Sequence, residues 1–62
     1  MNELGKELLK SARVVTATEL LKINTSSLVY EYQTTADDNG NYETLWSIDG
    51  QYYKTTNNLF NF

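Results

Sequence analysis

The 62 residues allow one small domain, and a chain of that size buries only about 60% of the surface its unfolded form exposes, so folding is marginal unless association adds to it. The sequence contains no Cys and no His, which removes disulfides, thiolate nucleophiles, sulfur metal sites, the commonest general base and the commonest zinc ligand. Eight acidic residues against five basic ones give a net charge of −3, which offers no whole-molecule attraction for nucleic acid or an anionic membrane.

From the N-terminus, residues 2–13 read as an amphipathic helix. Leu4, Leu8, Ala12 and Val15 recur at helical spacing with Leu9 beside them, which makes one apolar stripe. Glu3 and Glu7 stand near its start and Lys10 and Arg13 near its end. The charges therefore complement the helix dipole, and Glu3, Glu7 and Lys10 can pair along the surface. Gly5 is expected to weaken the first turn by about 1 kcal/mol relative to alanine.

A continuation of that stripe past residue 14 would bury Glu19 and Lys22, so a new start is expected. Thr16-Ala17-Thr18-Glu19 has the spacing of a capping box, with Val15 and Leu20 placed as a hydrophobic staple, which predicts a second short helix over 17–23. The alternative is a strand over 14–18, where Val14, Val15, Thr16 and Thr18 are β-branched. Asn24-Thr25-Ser26 is the connection. It also matches the glycosylation triplet, but Glu3 and Glu7 interrupt any signal-peptide core, and the longest apolar runs are pairs such as Leu8-Leu9 and Leu20-Leu21. The expectation is a cytoplasmic protein with no transmembrane span.

Residues 27–35 alternate, with Leu28, Tyr30 and Tyr32 on one face and Val29, Glu31 and Gln33 on the other, the pattern of a half-buried strand. The cluster Ala36-Asp37-Asp38-Asn39-Gly40-Asn41 ends it in a turn. A two-residue turn at Asn39-Gly40 would put Glu31 and Gln33 on the face of Trp46 and Ile48. A type I turn over 37–40 with Gly40 as a left-handed bulge residue instead sets Tyr32 opposite Trp46 and Tyr30 opposite Ile48, and this is the predicted register.

Residues 42–55 carry the strongest signal in the chain. Two runs rich in aromatic and β-branched residues flank Asp49-Gly50, a pair suited to the positive φ angles of a type I′ turn. That turn pairs Ile48 with Gln51, Trp46 with Tyr53 and Thr44 with Thr55. Trp46 thus gains an aromatic neighbour on each side, and the stripe of the first helix is expected to lie over this face.

The opposite face, with Val29, Glu31, Gln33, Glu43, Leu45, Ser47, Tyr52 and Lys54, is expected to be open. Beyond it the tail ends in Leu59, Phe60 and Phe62, apolar for a chain end. Val29, Leu45, Tyr52, Lys54, Leu59, Phe60 and Phe62 are therefore the candidate partner-binding residues.

Catalytic and ligand motifs are weak. Asp37, Asp38, Asn39 and Asn41 lack the alternating ligands and distal glutamate of a calcium loop, and turns favour these residues in any case. Tyr52, Lys54 and Glu31, close together on the open face, read as a solvated cross-strand cluster rather than an acid–base site. Lys6, Lys10 and Arg13, which Lys22 could extend, read as a solvated basic helix face, and the glycines form no phosphate loop. No catalytic, cofactor or metal site is expected, and no small-molecule substrate.

These readings combine into one domain over 1–62 of the α+β class. A helical segment over 2–23, with an N-terminal helix and a second short one, packs on a three-stranded antiparallel meander over 27–56, followed by an apolar tail over 57–62. The expected function is a non-enzymatic protein–protein interaction module, either self-associating as a homodimer or capturing and inhibiting a larger protein. Seven asparagines, eight threonines and no proline associate with AT-rich genomes, which would fit a bacterial or phage-encoded inhibitor. The alternative is a winged helix-turn-helix DNA-binding protein with 26–34 as recognition helix and 42–55 as wing. That helix would hold Glu31 and no Lys or Arg, so nucleic acid is not the expected partner.

Overall fold

The computed structural model describes residues 2–23 and 27–60, with the side chains of residues 2 and 3 excepted. The elements in chain order are α1 (Asn2–Ser11), β1 (Arg13–Val14), α2 (Ala17–Ile23), β2 (Val29–Gln33), β3 (Asn41–Ile48) and β4 (Gln51–Asn58). The strands form one mixed sheet in the order β1-β4-β3-β2. The predicted antiparallel meander is present as β2-β3-β4, and β1 adds a fourth strand parallel to β4.

The β3–β4 hairpin forms as its turn dictates. Asp49 and Gly50 take φ of 50° and 82°, both positive as a type I′ turn requires. The register sets Ile48 against Gln51, Trp46 against Tyr53 and Thr44 against Thr55. The ladder runs on to Asn41 and Asn58, so residues 57 and 58 of the predicted tail belong to β4. Ser27 ties the approach to β2 onto this turn, its hydroxyl donating to Asp49 Oδ1 at 2.7 Å.

The turn before β3 also has its predicted form, but the register it leads into differs. Gly40 N–H donates to Asp37 O at 2.9 Å, and Gly40 takes φ of 82°. Asp37 Oδ1 accepts from the N–H of Asn39 and of Asn41, at 2.9 Å each. Asp37 N–H bonds Asn41 O, whereas Thr34 N–H bonds Glu43 O, so one residue slips between the two bonds. A second slip at Glu31 leaves Tyr32 opposite Leu45 and Tyr30 opposite Trp46. The expected pairs, Tyr32 with Trp46 and Tyr30 with Ile48, are thereby corrected. Each slip reverses the face a side chain points to. The two tyrosines, predicted to share a face, are divided between the two.

The helices correct the expected layering. β1 lies along the β4 edge, and in passing it the chain moves from one face of the sheet to the other. α1 packs on the face of Leu45, where Leu9, Ala12 and Leu45 form a buried cluster with Leu8 and Tyr32 against it. α2 packs on the face of Trp46 and Ile48, where Val15, Leu20 and Ile48 are buried together with Ile23, Leu28, Trp46 and Tyr53 beside them. The predicted α1 stripe therefore ends early. Leu4 is 63% exposed and Val15 belongs to the other core.

The second helix starts as its capping signal requires. Thr16 Oγ1 accepts from Glu19 N–H at 3.1 Å, and Val15 and Leu20 meet in the core as a staple. The strand alternative for this stretch holds only at Val14, which joins Arg13 in β1. The Asn24-Thr25-Ser26 connection and any pairing of Glu3 lie outside the described residues.

Candidate interaction surfaces

The Leu45 face is organised by how α1 sits on it. Gly5 rests against the Tyr32 ring so closely that an added Cβ would stand 2.7 Å from Tyr32 Cγ. A residue with a side chain at position 5 would lift the helix off β2. With Gly5, Leu9 and Ala12 turned to the sheet, helical spacing puts Lys6 and Lys10 on one flank and Leu4 and Leu8 on the other.

The lysine flank leans toward the Gly40 end of the sheet. Lys6, Leu9, Lys10, Glu43 and Lys54 line a recess of about 250 Å³ there. Lys54 reaches Glu43 at 3.8 Å and keeps only 17% of its side chain exposed. Lys10 pairs with Glu7 at 3.4 Å on the outer surface, where both side chains are largely exposed and the pair is worth little.

The leucine flank faces the Asp49-Gly50 end, which α1 does not reach. Val29 and Tyr52 stand there on either side of Ser47, each paired with it across the sheet. Both are exposed, and Leu4 on the leucine flank of α1 is exposed as well. Ser47 is buried between the strands and donates to Glu31 Oε2 at 2.6 Å.

The predicted binding residues are thus divided. Val29 and Tyr52 share an open shelf. Leu45, expected to face outward, is completely buried because α1 covers this face rather than the Trp46 face. Lys54 lies under the lysine flank. Leu59 and Phe60 are exposed beyond β4, where Leu59 N–H donates to Gly40 O at 2.8 Å and the Phe60 ring covers Gly40. Phe62 lies outside the described residues. Leu4 was missed because helical periodicity alone assigned it to the core.

The expected cluster of Tyr52, Lys54 and Glu31 does not assemble, since Glu31 bonds Ser47 and Lys54 turns to Glu43. The basic stripe also separates. Arg13 goes to the Trp46 side and meets Glu19 at 3.5 Å, while Lys54 joins Lys6 and Lys10. The Asp37 carboxylate is occupied in holding its own turn. Among the described residues no group of His, Cys, Asp and Glu is arranged to hold a metal ion, and no helix is long and apolar enough to cross a membrane.

On the Trp46 face, α2 covers the end nearest Ile48, and the rest is uncharged. Trp46 Nε1 donates to Thr55 Oγ1 at 3.0 Å, and Thr44 Oγ1 donates to Gln33 Oε1 at 3.2 Å. These bonds satisfy hydroxyls that are buried in the sheet. Tyr30 meets Trp46 edge to face, with ring centroids 6.0 Å apart and planes at 84°. Residues 29–33, which a winged helix would use within its recognition helix, form the strand β2.

No protein-family model, curated protein sequence or solved structure matches the chain.

Proposed function

We propose that the protein is a cytoplasmic, non-enzymatic protein–protein interaction module, and that its binding surface is the shelf of Leu4, Val29 and Tyr52. The observation that carries this reading is the partial cover given by α1. A ten-residue helix spans the middle of the Leu45 face and leaves exposed apolar side chains side by side at one end of a rigid sheet. Such a patch, rimmed by Glu31 and by the helix, has the character of a protein-docking surface. The absence of His and Cys from the sequence supports a binding role over a catalytic one. A DNA-binding winged helix is not favoured, because its recognition helix would have to occupy the place of β2.

The test is a Val29→Asp, Tyr52→Asp variant, first shown by circular dichroism to fold as the parent does. Parent and variant are each cross-linked in the source cell and their covalent partners compared by mass spectrometry. A protein joined to the parent and absent from the variant supports the shelf. Identical partner sets for the two chains would reject it.

A further inference from the structure

The Gly40 end of the molecule carries two surfaces of opposite character. The recess gathers Lys6, Lys10 and Lys54 around a Leu9 floor, with Glu43 as its one carboxylate, and these are three of the five basic residues of an acidic chain. Lys10 pairs with Glu7 and Lys54 with Glu43, which balances those two charges, and Lys6 has no ion-pair partner among the described residues, so the cluster keeps one net positive charge. Beside the recess stands the 37–40 turn, since Glu43 lies two residues beyond Asn41, whose N–H is bonded to Asp37. That turn projects Asp38, which is exposed and makes no hydrogen bond or ion pair among the described residues. It is a rigid projection, held by the Asp37 carboxylate and by the Leu59 to Gly40 bond, with Leu59 and Phe60 exposed beside it.

A basic recess and an acidic knob on one end of the same chain are complementary to each other, yet the recess is held by α1 packed on the sheet and the knob by its own turn, so neither can fold onto its neighbour. We propose that the Lys6, Lys10 and Lys54 recess receives the 37–40 turn of a second copy, Asp38 foremost, and that the exchange is reciprocal about a two-fold axis. Opposite potentials steer the encounter and fix its orientation, and Leu59 and Phe60 add apolar area. The recess is too small for a large ligand and suits one acidic side chain. The proposal rests on the interaction reading but uses the opposite end of the sheet, so the dimer leaves the Leu4, Val29 and Tyr52 shelf free.

Light scattering after size exclusion, from micromolar to millimolar chain, tests it. The parent should dimerise at about 20 mM salt and dissociate at about 1 M, where the screening length falls to about 3 Å. Lys6→Glu with Lys10→Glu, and separately Asp38→Lys, should each raise the dissociation constant on the order of tenfold or more. Asp38 is chosen over Asp37, which holds the turn. Mixing the two variants should restore a dimer, because each charge then meets its opposite at both contacts. That restoration also shows that both variants are folded.

Several results would overturn the proposal: a monomer at every concentration in low salt, a dimer unmoved by salt or by either variant, or a mixture that stays monomeric. A mass that climbs past two copies would mean an open head-to-tail contact and would reject the reciprocal geometry. If only Val29→Asp with Tyr52→Asp breaks the dimer, the shelf is the dimer interface, and the interaction reading stands while this inference falls.

Discussion

The two faces of the sheet are closed in different ways. On the Leu45 face a single helix presses its backbone onto Tyr32 at Gly5 and buries Leu45 completely beneath Leu9 and Ala12. On the Trp46 face a seven-residue helix covers only one end, and the remainder relies on an edge-to-face aromatic pair and on side-chain hydrogen bonds. The first face depends on shape, so small changes of volume should be felt strongly. The second is a set of separate local contacts, so losses there should be smaller and nearly additive.

Leu45→Ala probes the contrast most directly. Emptying the centre of the α1 contact should cost about 2–5 kcal/mol, enough in a domain of this size to leave much of the chain unfolded at 25 °C. Urea titration followed by tryptophan fluorescence measures it, since Trp46 is the only tryptophan. An effect below about 1 kcal/mol would mean that α1 contributes little to this face.

Gly5→Ala separates helix propensity from packing. Propensity alone predicts stabilisation of about 1 kcal/mol, but the clash with Tyr32 predicts destabilisation of about 1–3 kcal/mol. The sign of the shift in urea midpoint decides between them. Combining Gly5→Ala with Tyr32→Ala should cost less than the sum of the two single changes, because the clash is already gone.

On the other face, Thr16→Ala removes the cap of α2 and should cost about 1 kcal/mol. Tyr30→Ala removes the edge-to-face partner of Trp46 and should cost about 0.5–1.5 kcal/mol beyond its modest burial. The two should add, since they touch different parts of that face, and a double variant tests whether they do. Arg13→Ala breaks an exposed ion pair with Glu19 and should change stability by less than about 0.5 kcal/mol. A larger loss would mean that β1 anchors the sheet edge through that pair.

Local chemistry in the sequence determined the hairpin, the 37–40 turn, the cap and staple of α2 and the presence of a first helix. In each case the deciding groups lie within a few residues of one another: Asp49 with Gly50, Asp37 with Gly40, Thr16 with Glu19. The α+β class was legible too, because the change from helical period to strand alternation along the chain needs no tertiary contact to read.

Only the tertiary structure decided which face each helix covers, and with it which residues of the candidate site are accessible. One slip between residues 34 and 37 and a second inside β2 at Glu31 send Tyr32 to one face and Tyr30 to the other, and strict alternation cannot reveal a slip. The two residues of β1 pair with a strand some forty positions later, a contact too short to leave a pattern. It carries the chain past the β4 edge and sets α1 and α2 on opposite faces. Leu45 is therefore core rather than surface, Leu4 is surface rather than core, and Lys54 meets Lys6 and Lys10 from a distant part of the chain. Surfaces assembled from segments so far apart are decided by register and layering, which local sequence chemistry leaves open.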